Sequence, residues 1–467
     1  MSRVFVLIGA GGFVLGLILG EYFSSVWPLV WLMVANLIWL SWTRRGFKCL
    51  LLLGMVTLGM LRIHQVIRLF DVAAEALIKA EQPLTGLVTR VTERYGRQEI
   101  EVMNLGGQGE SLRGGGRLTS PDILSIKPGD YLTVECRWTP VLPDQQRRWQ
   151  SRGVLAECRN PRRVQIDGRG NDWRARLARA RGDLVSRVQR QYHHPQSDLL
   201  AGILLGVQDT MSSELRQDFR ATGTSHIVAL SGFNVTIIIT ILSGTLTAVI
   251  GRRLAFWPTL GLVISFVIMT GASASVTRAA VMAVMVMVAQ QSGRPIAPSR
   301  LLAYTFIIMT AVNPLIVRYD LGFQLSFLAT VGLVYLSPGL TVRLGWIPAA
   351  ADLRGNLSST LAAMAATEPL LLWTFGRFSI VAPFVNIVVL PFIPLIMAIG
   401  TIGLIIPLAV PLADALLRLV LAVITTAGSW SFAQVATPWW VAGGIAGLAA
   451  VIGIRLIYEA NTKDLAR

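Results

Sequence analysis

Charge is what this 467-residue chain lacks most: Asp, Glu, Lys and Arg make up 15% of it. A soluble domain carries about 25%, so an ordinary water-exposed surface is excluded for most of the length. Acid is scarcer still. Twenty-six acidic residues face 42 basic ones, for a formal charge of +16. Cysteine and histidine are also sparse, with three Cys (49, 136, 158) and four His (64, 193, 194, 226). No CxxC pair occurs and the histidines are scattered, which excludes a zinc cluster on spacing. No GxSxG elbow and no HExxH pair is present. No cofactor or metal is expected.

Long apolar runs are abundant. Hydrophobic residues are 53% of the chain, and runs of membrane-spanning length recur along it. Three open the sequence, near 3–20, 26–42 and 47–63, and the first has no small-residue cleavage site, so it reads as a retained span. The link "TRRGFK" after the second run is basic and the link after the first is not. The positive-inside rule then puts the N-terminus and that link in the cytoplasm and residue 66 onward outside. From residue 198 the apolar runs resume, at about 226–250, 256–271, 276–291, 300–314, 321–336, 356–375, 380–408, 412–430 and 439–457. Pro383, Pro391, Pro394 and Pro407 predict a broken helix or a re-entrant hairpin in 380–408. The run at 198–206 is too short to span and is expected to dip into the membrane interface.

Between these regions the pattern changes. "LTGLVTRVTE", "RQEIEVMNL", "GRLTS", "GDYLTVECRW" and "RGVLAECRN" are short β-type runs separated by turn signals such as "RGGGR" and "IKPGD". Five or six strands in so short a stretch suit a small β-barrel or OB-like module. Cys136 and Cys158 lie in it. A disulfide between them is expected if the segment faces an oxidising compartment, with two free thiols as the alternative. Between residues 146 and 190 thirteen Arg meet four acidic residues, leaving +9. Such a block attracts a polyanion, either nucleic acid or anionic lipid. Its C-terminal part reads as a basic amphipathic helix lying on a membrane surface, with Trp173, Leu177, Leu184 and Val188 as the apolar stripe.

Polar residues inside the apolar runs mark either packing or a path. In "TSHIVALSGFNV", His226, Ser231, Gly232 and Asn234 stand where lipid-facing residues are expected. His226 and Ser231 are five positions apart, about 140° around a helix, so a regular helix does not pair them as base and nucleophile. Thr222 and Thr224 are candidate helix caps, and Ser231-Gly232 a candidate kink. In "GASASVTRAAVMA", Gly271, Ser275, Arg278 and Met282 share a helical face, which serves either close packing with one buried ion pair or a polar pathway. Asp320, in line with Gln324 and Phe327, is the first candidate partner for Arg278, and Glu368 the second. Asn386 stands among prolines, where an amide commonly satisfies a freed carbonyl.

"ATGTSHIVALSGFNV", "GASASVTRAAVMA", "YDLGFQLSFLATVGLVYLSP" and "APFVNIVVLPFIP", in that order, resemble the blocks of the ComEC-type competence channel family over about 198–457. The β module after the N-terminal spans resembles that family's OB-fold domain. The resemblance implies an inner-membrane channel that passes single-stranded DNA into the cytoplasm during natural transformation, with the OB module outside and engaging the strand. An OB barrel with a basic flank tracks a backbone with Arg and stacks bases on aromatics. Arg147, Arg148, Arg152, Arg159, Arg162 and Arg163 are the candidate strand contacts, and Tyr95, Tyr131, Trp138 and Trp149 the available rings. The chain departs from the family in two ways. Relatives commonly read Ser-Gly-Leu-His-Val where this chain has Ser231-Gly232-Phe233-Asn234-Val235, and the HxHxDH motif of the family's metallo-β-lactamase-like domain is absent. The chain is therefore expected not to be a nuclease, and to depend on a separate nuclease, DNA-delivery proteins and a cytoplasmic motor.

The expected architecture is a polytopic α-helical membrane protein with an inserted extracytoplasmic β-barrel. It has N-terminal transmembrane helices (1–65), an OB-like domain (66–168), a basic interfacial helix (169–197) and a channel domain (198–467). A secondary transporter or exporter of another anionic solute is the main alternative, and an intramembrane hydrolase a third.

Overall fold

A computed structural model describes residues 12–18, 46–80, 82–94, 97–107, 110–111, 114–120, 126–170, 172–208, 210–230, 232–348 and 353–436. Most of the first two apolar runs, the last run at 439–457, Tyr95 and Ser231 lie outside these residues. Two compact units divide the chain: 1–182 with 284–324, and 183–283 with 325–467.

The first unit is built on a sheet. Its strands are β1 (Leu84–Arg94), β2 (Arg97–Gly107), β3 (Glu110–Ser111), β4 (Gly115–Ser120), β5 (Asp130–Glu135), β6 (Thr139–Pro140), β7 (Val154–Arg159) and β8 (Arg163–Arg169). They run in the order β6-β7-β4-β2-β1-β5-β8, with β3 on β2. All pairings are antiparallel except β4 with β7. Period-two alternation sets the faces: in β5, Leu132 and Val134 are buried while Tyr131, Thr133 and Glu135 are partly exposed. Ile100, Val102, Leu118 and Ala156 join them in the core, each fully buried. Burying a side chain of the larger kind contributes about 1.5–3 kcal/mol. Trp138 belongs to the same core and lies against Gly116, where a Cβ would collide with its ring.

The sheet curls. Cys136 and Cys158 form a disulfide with their Cα atoms 6.2 Å apart. Cys158 is in β7 and Cys136 directly follows β5, four ladder steps away. In a flat sheet those steps separate strands by about 19 Å, at about 4.8 Å each. The ladder therefore bends back until its two flanks meet, although no pairing joins β7 to β8 among the described residues.

Helix Gly46–Ile78 covers the third apolar run and continues past it without interruption. Ala74 and Leu77 near its end are buried in the sheet's core. Lower down, Arg62 donates to the carbonyls of Ala311 and Val312, the exposed C-terminal acceptors of helix Pro298–Val312.

The second unit is helical. At its centre lies Gln196–Leu205, with every residue from Ser197 to Leu205 buried. The interfacial dip expected for 198–206 is thus corrected: this short helix is apolar nearly all round, and such a helix is stable only when protein covers it. Helices Gly232–Ile250, Arg252–Met269, Ala274–Gln291, Leu353–Phe375 and Val410–Gly428 fall where apolar runs predict them. The proline-rich stretch is a broken pair, Ala382–Val389 and Phe392–Gly403, bent by 43°. A second bent pair joins Leu321–Tyr335, the helix of the run at 321–336, to Ser337–Arg343 beyond it at 47°. Pro338 at the start of its second arm accounts for the break.

Helix Trp173–Gln191 carries the expected stripe, but Trp173 is exposed while Val188 is fully buried in the helical core. Its early residue Ala175 packs beside Gly129 and Gly170 of the sheet unit.

Among the described residues, Ala274–Gln291 and Pro407–Gly428 are long and apolar enough to cross a bilayer, and the bent pairs make four if each is one span. Trp257, Trp373, Ile405 and Leu408 are each more than 70% exposed. Large apolar side chains facing outward in such number suit hydrocarbon as the surrounding medium.

Candidate functional site

Thr222 and Thr224 end one helix and do not cap the next. Both are fully buried, their hydroxyls 2.7 Å apart, and Thr222 Oγ1 donates to the Asp218 carbonyl at 2.8 Å. One helical turn, Ser225–Val228, follows. His226 is exposed, with Nδ1 3.1 Å from the Gly223 carbonyl. Gly232 opens helix Gly232–Ile250. Asn234, two residues on, is 1% exposed, and its Nδ2 donates toward the carbonyls of Ile203 (3.3 Å) and Ile227 (3.5 Å). The amide therefore clamps three segments of the helical core.

The clearest charged group in this unit is Arg278, on helix Ala274–Gln291. It is 9% exposed, and its Nη1 donates to the Ser326 carbonyl at 2.8 Å. Its guanidinium stands 6.0 Å from the centre of the Phe327 ring. Nε is buried with no hydrogen-bond partner among the described residues. Ser326 Oγ donates to Ser275 Oγ at 3.2 Å, one turn before the arginine. Gly232 lies against the guanidinium: a Cβ there would be 2.5 Å from Nη2. Gly232, Ser275 and Arg278, separate in the sequence, thus meet at one place.

The expected ion pair for Arg278 is not made by Glu368. That carboxyl is also 9% exposed, on helix Leu353–Phe375, and no cation pairs with it among the described residues. Asp320, in the first unit, is occupied locally: its Oδ1 accepts from the Phe323 N–H at 3.1 Å and caps the helix that begins at Leu321. Gln324 Nε2 donates to the carbonyls of Val317 (2.8 Å) and Arg318 (2.9 Å), closing the preceding turn. Asn386 is 4% exposed, and its Oδ1 has no partner among the described residues. An unpaired charge taken out of water costs several kcal/mol, so Arg278 and Glu368 are the groups here that packing alone does not explain.

The sheet unit holds a second cluster. Of the predicted basic residues, Arg148, Arg152, Arg159, Arg162 and Arg163 are exposed. Arg147 is engaged, donating to both carboxylate oxygens of Asp71 at 2.9 and 3.4 Å and to Gln150 at 2.7 Å. Arg159 leans on Glu157 at 3.2 Å. Among the rings, Trp138 is core, Tyr131 is half-buried, and Trp149 is half-buried between two cations. Arg117 Cζ stands 4.8 Å and Arg152 Cζ 5.8 Å from the Trp149 ring centre. Arg117 is anchored on Glu99 and lies 4.0 Å from Glu157. Sequence reading does not find Arg117, because its neighbourhood with Trp149 depends on β4–β7 pairing. Burial and the adjacent Asp172 carboxylate raise the Tyr131 phenol above its ordinary value.

Among the described residues no three His, Cys, Asp or Glu side chains are grouped to hold a metal. No curated protein and no solved structure shows a match to the chain. The family model described as "Competence protein" matches residues 203–462. That span contains Gly232, Ser275, Arg278 and both bent helix pairs, and more than half of the chain. The chain therefore belongs to the competence protein family of the ComEC type, the membrane proteins of DNA uptake.

Proposed function

We propose that the chain is a non-enzymatic inner-membrane channel that passes single-stranded DNA into the cytoplasm during natural transformation. One observation carries this beyond family membership: a buried arginine with no carboxylate partner among the described residues, set beside a glycine and two serines in the helical unit. A cation so placed is costly unless an anion or water visits it. On this reading the curled sheet is the OB-like module outside the membrane. The parallel pairing of β4 with β7 and the close approach of Cys136 and Cys158 support a barrel-like form, and Trp149 between two arginines supplies a stacking platform. A separate nuclease, DNA-delivery proteins and a cytoplasmic motor complete the path.

The bent helix pairs favour one second reading, a secondary transporter of another anionic solute, since broken helices build such sites. The deciding experiment deletes the chain from a transformable host and follows labelled DNA. Loss of strand entry into the cytoplasm, restored by the full chain, is expected. Undiminished entry in the deletion strain would rule out the channel.

A further inference from the structure

We infer that Asp71 is the positioning residue for Trp149, fixing the ring that the sheet unit offers to a strand. Trp149 is carried by helix Pro143–Gln150. A helix so short is not stable by itself. Its sequence, PDQQRRWQ, is strongly polar, and among the described residues no side chain caps its start. Of its eight residues only Gln150 is buried. Apolar packing therefore does little to fix where this helix sits, and polar contacts do the rest.

Those contacts converge on Asp71, which belongs to helix Gly46–Ile78. Arg147 Nη1 and Nη2 donate to its two carboxylate oxygens at 2.9 and 3.4 Å, and Gln150 Nε2 donates to Oδ1 at 3.1 Å. Gln150 Oε1 in turn accepts from Arg147 Nη1 at 2.7 Å, which closes a ring of three side chains. Gln150 is fully buried, so Asp71 also satisfies an amide that is costly to leave unpaired. One residue further, the Ser151 carbonyl accepts from Asn313 Nδ2 at 2.8 Å. The C-terminal end of the short helix is thus held from two sides. Arg147 and Gln150 lie about 60° apart round the helix, whereas Trp149 lies about 100° from Gln150 and about 160° from Arg147. The clamped face and the ring therefore point in different directions, and the ring meets Arg117 Cζ at 4.8 Å. Asp71 acts on the ring through the helix that it clamps. That the ring's partner is a DNA base rests on the channel reading, whereas the clamp does not.

The test incorporates 5-fluorotryptophan into the full chain in maltoside and follows the fluorine resonance of Trp149, assigned as the one missing in Trp149→Phe. A single line is expected in the wild type. Asp71→Ala and Gln150→Met should each shift or broaden it, and Asp71→Asn, which keeps an acceptor oxygen, should fall between. Gln150→Met changes no charge and decides the matter if Asp71→Ala does not fold. A Trp149 line that neither substitution moves overturns the positioning role. Oligothymidylate affinity then tests the link to the strand. Loss of a negative charge by itself favours a polyanion, yet Asp71→Ala should weaken binding by about fivefold or more, as for loss of one stacked base. In a Trp149→Ala background the same substitution should no longer weaken it. Equal weakening in both backgrounds, or tighter binding in the first, overturns the role. A chain that ignores the oligonucleotide while its Trp149 line still moves removes the strand reading and leaves the clamp standing. Strand binding with an unmoved line removes the clamp and leaves the reading.

Discussion

On the proposed channel reading, replacing Trp149 with alanine separates the two ways in which the sheet unit would hold a strand. The ring lies between Arg117, fixed by Glu99, and Arg152, which is exposed. On that reading a base would reach the ring by displacing Arg152, freeing it to follow a phosphate. Base–aromatic stacking contributes about 1–3 kcal/mol per base, or about 5- to 150-fold in affinity. The salt dependence belongs to the arginines, at a slope of about 0.7 per phosphate neutralised on a single strand. Fluorescence anisotropy of a labelled oligothymidylate with the full chain in nanodiscs, from low to moderate salt, reads both quantities. Trp149→Ala should weaken binding without changing the slope, and Trp149→Phe should recover most of the loss. Arg152→Gln and Arg163→Gln should each lower the slope by about 0.7. Arg147→Gln should leave the slope unchanged, because Asp71 already holds that charge. Unchanged affinity in Trp149→Ala, or a slope that falls with it, would refute the stacking argument.

The remaining predictions concern stability. Leu118→Ala, at a fully buried site in β4, should cost about 2–5 kcal/mol, read as a lower midpoint in denaturant titration followed by tryptophan fluorescence. Reduction of Cys136–Cys158 should add the mass of two alkylated thiols and, for a sequence separation of 22 residues, remove about 3 kcal/mol; resistance to alkylation only before reduction is the expected control. Burial and Glu214 raise the Asp218 carboxyl above its ordinary value. A carboxyl that holds its proton more tightly when folded favours the folded state at low pH. That contribution is lost as pH rises through the raised value. Asp218→Asn should therefore raise the melting temperature at neutral pH and flatten its dependence on pH above the ordinary carboxylate range.

Local pattern made most elements readable. Alternation in "GDYLTVEC" places Leu132 and Val134 inside, and four prolines announce the break that the structure puts between Val389 and Phe392. Asp320 is readable too, since an Asp before an apolar helical run is an N-cap signal, although its charge alone suggests an ion pair with Arg278. Asn234 was not readable. A buried amide near a glycine suits a wet path or a clamp equally, and the deciding acceptor, the Ile203 carbonyl, lies 31 residues upstream. The same holds for Arg117 beside Trp149 and for Gly232 beside Arg278. Contacts across units of secondary structure leave no period in the sequence, and the 198–206 helix shows the converse, a short apolar run that only tertiary burial explains.

Helix Gly46–Ile78 has 33 residues, about 50 Å of unbroken rod. One part of it grips the end of helix Pro298–Val312 through Arg62, and its far end is set in the sheet's core through Ala74 and Leu77. No loop lies between these two attachments to take up slack. Mechanically the rod is a lever: a tilt of about 5° at one end sweeps the other by about 4 Å. A load placed on the sheet is transmitted to the Pro298–Val312 end as torque.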